Sequence, residues 1–259
     1  MKKLLMALLV VSCGLMAKDY ALIVSISKYD NIEMALDVSQ DAKRYDHILD
    51  KMGVAKDSRK YLKENNATKK KILNYISTIA GKITANDRFF MFFSGHGIDG
   101  SDEQFGSIIQ EGELKKYFTN SGAILPVDFN PNDVSGTVII GKRDLREHFA
   151  KIDSITKKAL IVFDTCYSKY SVKGENKEDK LELLHIDTKD DDYPYDNIVY
   201  IAASKSKAKP GRLSEILDSC IQEDTNLSAL KVCLNDKSKK SPYTPIVLSK
   251  SDGSFVFGK

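Results

Sequence analysis

The sequence predicts an α/β domain: a mainly parallel central sheet covered by helices on both faces. Short runs rich in apolar, β-branched or aromatic residues, Tyr20–Ile26, Arg88–Phe93, Ala159–Phe163 and Asn197–Ala203, read as strands buried on both faces. Stretches of helical period separate them, and strands alternating with helices favour parallel pairing through crossovers. The 259 residues, 42% hydrophobic and 29% charged, suffice for one sizeable α/β domain or two small ones, and no repeat or Pro- or Ser-rich linker divides them.

Residues 1–17 precede the fold and read as a leader. Met1-Lys2-Lys3 is a short basic start, Leu4–Met16 is an apolar run too short to span a bilayer, and Ala17 is the small residue before a cut. Leu15 at the minus-three position is a less usual choice. Val10-Val11-Ser12-Cys13 offers a rival reading, a bacterial lipoprotein cleavage box with Cys13 lipidated, and a retained anchor is a third. The first strand starts near Tyr20, which leaves little tether for a lipid and favours soluble export to the periplasm or medium, with no stable membrane span.

The first strand is followed by a helix from Ser39 to Gly53, with Leu36, Ala42, Tyr45, Ile48, Leu49 and Met52 on a helical period. A short strand around Lys60–Leu62 leads to a capping cluster at Asn66-Ala67-Thr68 and a helix through Ile72, Leu73, Tyr75, Ile76 and Ile79. After the Arg88–Phe93 strand a polar loop extends to about Gly122, then an extended piece, Ala123–Asp128, in which Pro126 forbids a central ladder position. Lys142–Lys151 reads as the helix feeding the Ala159–Phe163 strand. Lys169–Asp192 is dense in charge and reads as a surface loop. Beyond the Asn197–Ala203 strand come helices at Leu213–Cys220 and Leu227–Leu234, then short strands at Pro245–Leu248 and Phe255–Phe257.

Charge excludes little, but it excludes something. Without Lys2 and Lys3, 37 basic residues face 36 acidic ones, so no basic bias argues for nucleic acid. Export makes the cysteines informative, because disulfides persist in oxidising compartments. If Cys13 leaves with the leader, Cys166, Cys220 and Cys233 remain. Cys220 and Cys233 are close enough in sequence for a local bridge, which would leave Cys166 as the free thiol; three unpaired buried thiols are the alternative.

Cys166 follows the apparent end of its strand, Phe163, by three residues, and open α/β sheets place their chemistry beyond the carboxyl ends of the strands. His96 follows Phe93 by the same three residues. If the two strands are neighbours, both residues emerge at one edge, and imidazole beside thiol is the arrangement that activates a cysteine nucleophile. His47 and His148 fall within amphipathic helices and His185 in the charged loop, so they read as bystanders. Gly95 and Gly97 flank His96 without bulk, as close approach of a substrate backbone requires. Asp218-Ser219-Cys220 repeats the Asp-x-Cys pattern but sits on a helix. Attack on a peptide carbonyl would form an oxyanion, for which the backbone N–H groups of Gly97 and Cys166 are the candidates.

At these residues the sequence resembles the caspase-like cysteine peptidases (clan CD, family C14), and among them the metacaspase branch. Phe93-Ser94-Gly95-His96-Gly97 is similar to the family's Tyr-Ser-Gly-His-Gly, and Asp164-Thr165-Cys166-Tyr167-Ser168 to its Asp-Ser-Cys-His-Ser-Gly. Leu125-Pro126-Val127-Asp128 and Gln40-Asp41-Ala42 resemble two further segments of the pattern. The resemblance implies a caspase-like three-layer α/β/α sandwich. It divides into a large-subunit-like part at about 18–168, a charged loop at 169–196 and a small-subunit-like part at 197–259. It makes His96 and Cys166 the dyad, and Asp41 and Asp164 the acidic S1 lining that selects a polypeptide with Arg or Lys at P1. Read without the family, Asp41 is an acid favoured at a helix start and Asp164 a turn carboxylate.

The sequence also departs from the pattern. Tyr167 and Lys169 replace the family's histidine and glycine after the nucleophile. Ile139-Ile140 is followed by Gly141-Lys142 where calcium-dependent members carry paired acids, and Asp128 alone is a poor site for a cation needing six or more oxygens. No metal or cofactor is therefore expected. Lys169, Lys173, Lys177 and Lys180 offer autocleavage sites, though a solvated linker has the same composition. The leading expectation is an exported cysteine endopeptidase; a non-catalytic caspase-like binding or regulatory module is the alternative.

Overall fold

The computed structural model describes residues 17–33, 35–98, 109, 112–118, 121–167, 193–203, 210–239, 245–251 and 255–258, with the side chains of Cys166 and Tyr167 outside that description. The leader with Cys13, and the 168–192 segment with its lysines and His185, lie outside the described residues.

The described elements run β1 (Asp19–Ser25), α1 (Asp41–Lys51), β2 (Arg59–Lys63), α2 (Lys69–Lys82), β3 (Arg88–Ile98), α3 (Gly112–Phe118), β4 (Ala123–Ile124), α4 (Val134–Thr137) and β5 (Ile139–Ile140). They continue with α5 (Arg146–Ile155), β6 (Lys158–Tyr167), β7 (Ile198–Ala202), α6 (Arg212–Cys220), α7 (Leu227–Ser238) and β8 (Ile246–Leu248). The sheet order is β2-β1-β3-β6-β7-β8, with β4 paired to the carboxyl end of β3 and β5 paired to β4. Pairing is parallel from β2 through β7, and antiparallel for β8, β4 and β5.

Period-two alternation along the central strands divides the interior into two cores. Leu22 and Val24, Phe89, Met91 and Phe93, and Ile161 and Phe163 face the layer containing α2 and α5. Ala21 and Ile23, Phe90 and Phe92, and Leu160 and Val162 face α1, α6 and α7. Both faces of β3 are buried, so its sequence reads as a continuous apolar run, and the mainly parallel, doubly covered sheet follows.

Several boundaries differ from the sequence reading. β3 and β6 do not end at Phe93 and Phe163; they run on through His96 and Cys166, because the two strands keep pairing beyond their apolar stretches. The first helix starts at Asp41 and stops at Lys51. Only Ala123–Ile124 of the 123–128 segment is strand, consistent with Pro126 beyond it. The Lys142–Lys151 segment is helical as read, but begins as a π-type turn over Gly141–Leu145 and continues as α5 to Ile155, with Asp144 accepting the Ile140 N–H at 2.7 Å. Part of the expected 98–122 loop is helical, at α3. Phe255–Phe257 is not a strand: Val256 makes one isolated bridge to Asn226. Cys220, at the end of α6, and Cys233, in α7, are bonded at 2.01 Å.

Candidate active site

β3 and β6 are neighbours, and the equal three-residue offsets become a register. Phe93 pairs with Phe163, Ser94 with Asp164 and His96 with Cys166. Parallel pairing at the carboxyl ends of two central strands thus sets the histidine and the cysteine side by side in the backbone. Gly97 pairs with Tyr167 on one side and Ile124 on the other.

Two residues below that pair lies a buried acid layer, supplied by four elements. Ser94 comes from β3, Asp164 from β6, Asp41 from the first residue of α1 and Ser214 from the first turn of α6. The Ser94 hydroxyl donates to Asp41 Oδ2, and the Ser214 hydroxyl donates to Asp41 Oδ1 at 2.7 Å. The Ser214 backbone N–H donates to Asp164 Oδ2 at 3.0 Å. One serine therefore bridges the two carboxylates, its N–H satisfying one and its hydroxyl the other. Tyr45, stacked on Phe92, brings its hydroxyl to 3.5 Å from Asp164.

Asp41 does more than favour the positive end of its helix, since its oxygens bond across to β3 and α6. Asp164 is not on a turn; it lies within β6, 4% exposed. Burial raises the Asp41 carboxyl above its ordinary range, opposed by Ser94, Ser214 and Arg44. Burial, then the charge of Asp41, pushes Asp164 up to about 7, against the bonds from Ser214 and Tyr45. The cation at the acids is Arg44, one turn along α1, whose Nη1 lies 3.2 Å from Asp41 Oδ1 and donates to the Gly211 carbonyl at 3.0 Å. Gly211 sits at φ +74, where a Cβ would come within 2.8 Å of Asp41 Oδ1, so the loop can close on the acid only with glycine there.

The glycines around His96 serve a purpose other than the one read from sequence. A Cβ on Gly95 would meet the Tyr29 hydroxyl at 2.8 Å, and one on Gly97 would meet Thr165 Oγ1 at 3.1 Å. They admit protein side chains, so the space they leave is already filled. His47 pairs with Asp218 at 2.8 Å on the surface, away from the acid layer. Asp128 accepts the first N–H of α2, from Lys69, at 2.9 Å. Among the described residues no group of three or more His, Cys, Asp or Glu could hold a metal ion, and no helix is long and apolar enough to cross a membrane.

Tyr29, Arg44, Gly211 and Ser214 were not legible as site residues, since their roles depend on α6 and the β1–α1 loop converging on one sheet edge. Ser94 stood inside the histidine motif but carried no signal for its bond to Asp41.

A three-layer sandwich whose two central strands carry histidine and cysteine in register at their carboxyl ends has the architecture of the caspase-like proteins. The caspase-domain model of peptidase family C14 matches residues 18–249, and the chain belongs to that family. In fold it is similar to the crystal structure of protein GSU0716 from Geobacter sulfurreducens, with a TM-score of 0.57 and 16% identity over 92% of this chain and 96% of that one. No curated protein matches it.

Proposed function

We propose that this protein is an exported cysteine endopeptidase of the metacaspase kind, cleaving polypeptides after Arg or Lys. The observation that carries the reading is the β3–β6 register, with His96 beside Cys166 and the Asp41–Asp164 acid layer two residues below. Cys166 attacks the scissile carbonyl as a thiolate, its proton held by His96. The oxyanion is met by the backbone N–H groups of Cys166 and Gly97. The tetrahedral adduct collapses to a thioester as His96 protonates the leaving amine, and water, deprotonated by His96, then releases the acid and restores the thiol. The acid pair holds the P1 cation by charge-assisted hydrogen bonds. No cofactor takes part, and no calcium is required. The basic, apolar start of residues 1–17 supports export to the periplasm or medium.

The test is to incubate mature protein, under reducing conditions with and without calcium, with fluorogenic peptides ending in Arg, Lys or Asp, beside Cys166→Ala. Cleavage of the basic peptides, falling at least about 10³-fold in the variant, is expected. Turnover surviving Cys166→Ala would remove the dyad. No turnover by the wild-type protein would leave a caspase-like binding module instead.

A further inference from the structure

The geometry points to Tyr29 as a positioning residue for His96, fixing the histidine's backbone N–H at the point where β1 leaves β3 and β4 has yet to take over. This rests on the peptidase reading only for its kinetic consequence. β1 pairs with β3 as far as Ser25 opposite Ser94, and Ile26 makes the last bond, its N–H donating to the Ser94 carbonyl at 2.9 Å. The β1–β3 register ends there, and the next N–H that β3 turns to that side is that of His96. The Tyr29 hydroxyl takes the strand's place and accepts that N–H at 2.6 Å. The His96 carbonyl accepts from Leu125 N–H at 2.9 Å. On this side the histidine's main chain is thus held by the Tyr29 hydroxyl through its N–H and by the start of the β3–β4 ladder through its carbonyl.

The ring of Tyr29 also packs on the imidazole, with centroids 5.1 Å apart and planes at 43°. Gly95 is what makes this possible, because a Cβ there would stand 2.8 Å from the hydroxyl. The loop carrying Tyr29 is itself anchored on two sides. Glu64 accepts the N–H groups of Ser27 and Lys28 at 3.1 and 3.2 Å. On the other side Asp30 N–H donates to the Val127 carbonyl at 3.1 Å and Asn31 Nδ2 to the Phe129 carbonyl at 3.0 Å. A buried hydroxyl on a pinned loop is what holding a reacting side chain within a fraction of an ångström requires.

Tyr29→Phe removes the hydroxyl and keeps the ring. The readout independent of substrate is the pH profile of Cys166 alkylation by iodoacetamide in a Cys13→Ala background, where Cys220 and Cys233 are bonded and unreactive. A less well placed imidazole stabilises the thiolate less, so the apparent pKa should rise by about one unit toward that of free cysteine. With an Arg peptide, kcat should fall about tenfold while KM stays within about twofold. Gly95→Ala, which displaces the hydroxyl without touching Tyr29, should move the alkylation profile the same way and keeps the test available if Tyr29→Phe folds poorly. Alkylation profiles that overlay the wild type in folded variants would overturn the positioning role even if peptides are cleaved. A shifted profile in a protein that cleaves no peptide would uphold it while the peptidase reading falls.

Discussion

The two ends of the central sheet handle buried charge in opposite ways. At the amino end, Arg88 at the start of β3 makes a two-pronged pair with Asp19 at 2.6 and 2.9 Å, and its remaining nitrogen reaches the carbonyls of Met52, Phe257 and Gly258. Beside it Asp87 accepts the N–H groups of Lys18 and Thr84 at 2.7 and 2.8 Å. Arg88 and Asp19 neutralise each other there, Asp87 is met by backbone N–H groups, and the cluster ties both ends of the described domain to the sheet. At the carboxyl end two acids face each other across one serine, with the half-exposed Arg44 as their cation. Nothing in folding requires two carboxylates to be brought together, and both hold protons more tightly than usual, Asp41 through burial and Asp164 through burial and then the charge of Asp41. One end is arranged to hold the chain together; the other, on the proposed reading, would receive a positive charge from outside.

The largest expected effect breaks the first of these. Arg88→Ala leaves Asp19 half-buried without its partner and strands three carbonyls, so unfolding in urea should show a loss of about 3 kcal/mol. Activity per folded molecule should stay close to wild type. Next, Cys220→Ser opens a loop of 13 residues between α6 and α7 and should reduce stability by about 3 kcal/mol or less, read as a lower midpoint in thermal melts. Because α6 carries Ser214, that variant also sharpens the comparison: loosened acids should lose discrimination between Arg and neutral P1 residues before the protein unfolds.

Asp41→Asn acts at the opposite end and in the opposite sense. It should lower kcat/KM for Arg peptides about 100-fold. Its melting temperature should hold or rise, because a buried charge facing another acid is gone. Full retention of Arg preference would separate Asp41 from the S1 pocket. The smallest effect is with pH. The folded chain keeps a proton on Asp164 up to about 7, whereas an unfolded aspartate releases it near about pH 4. The stability from this carboxyl is therefore fully present below about pH 4 and lost as pH rises through about 7. Recognition of a cation runs the other way, so the preference for Arg over a neutral P1 residue should grow about tenfold between pH 6 and 8. Asp164→Asn should flatten both trends.

Much of this was written locally. The four apolar runs gave the central strands, because a strand covered on both faces has no position left for a polar residue. Cys166 and His96 stood out because their spacing from those runs is the same. What spacing could not give was the extent of the strands: polar residues such as Ser94, His96 and Asp164 look like loop, yet backbone pairing carried both strands through them. The strand expected at Phe255–Phe257 was misread for a related reason, since its neighbours settle its geometry and its own propensities do not.

By itself, then, the chain determined the layered fold and singled out a thiol, an imidazole and two acids that the fold brings to one end of the sheet, because each depends on residue type and short-range period. Tertiary structure alone decided who supports them. Ser214 reaches Asp41 from 173 positions away and Tyr29 reaches His96 from 67, through contacts that exist only once α6 and the β1–α1 loop have docked against the same sheet edge. Hydrogen bonds act over about 3 Å of space, and sequence separation carries no information about that distance until the core has packed.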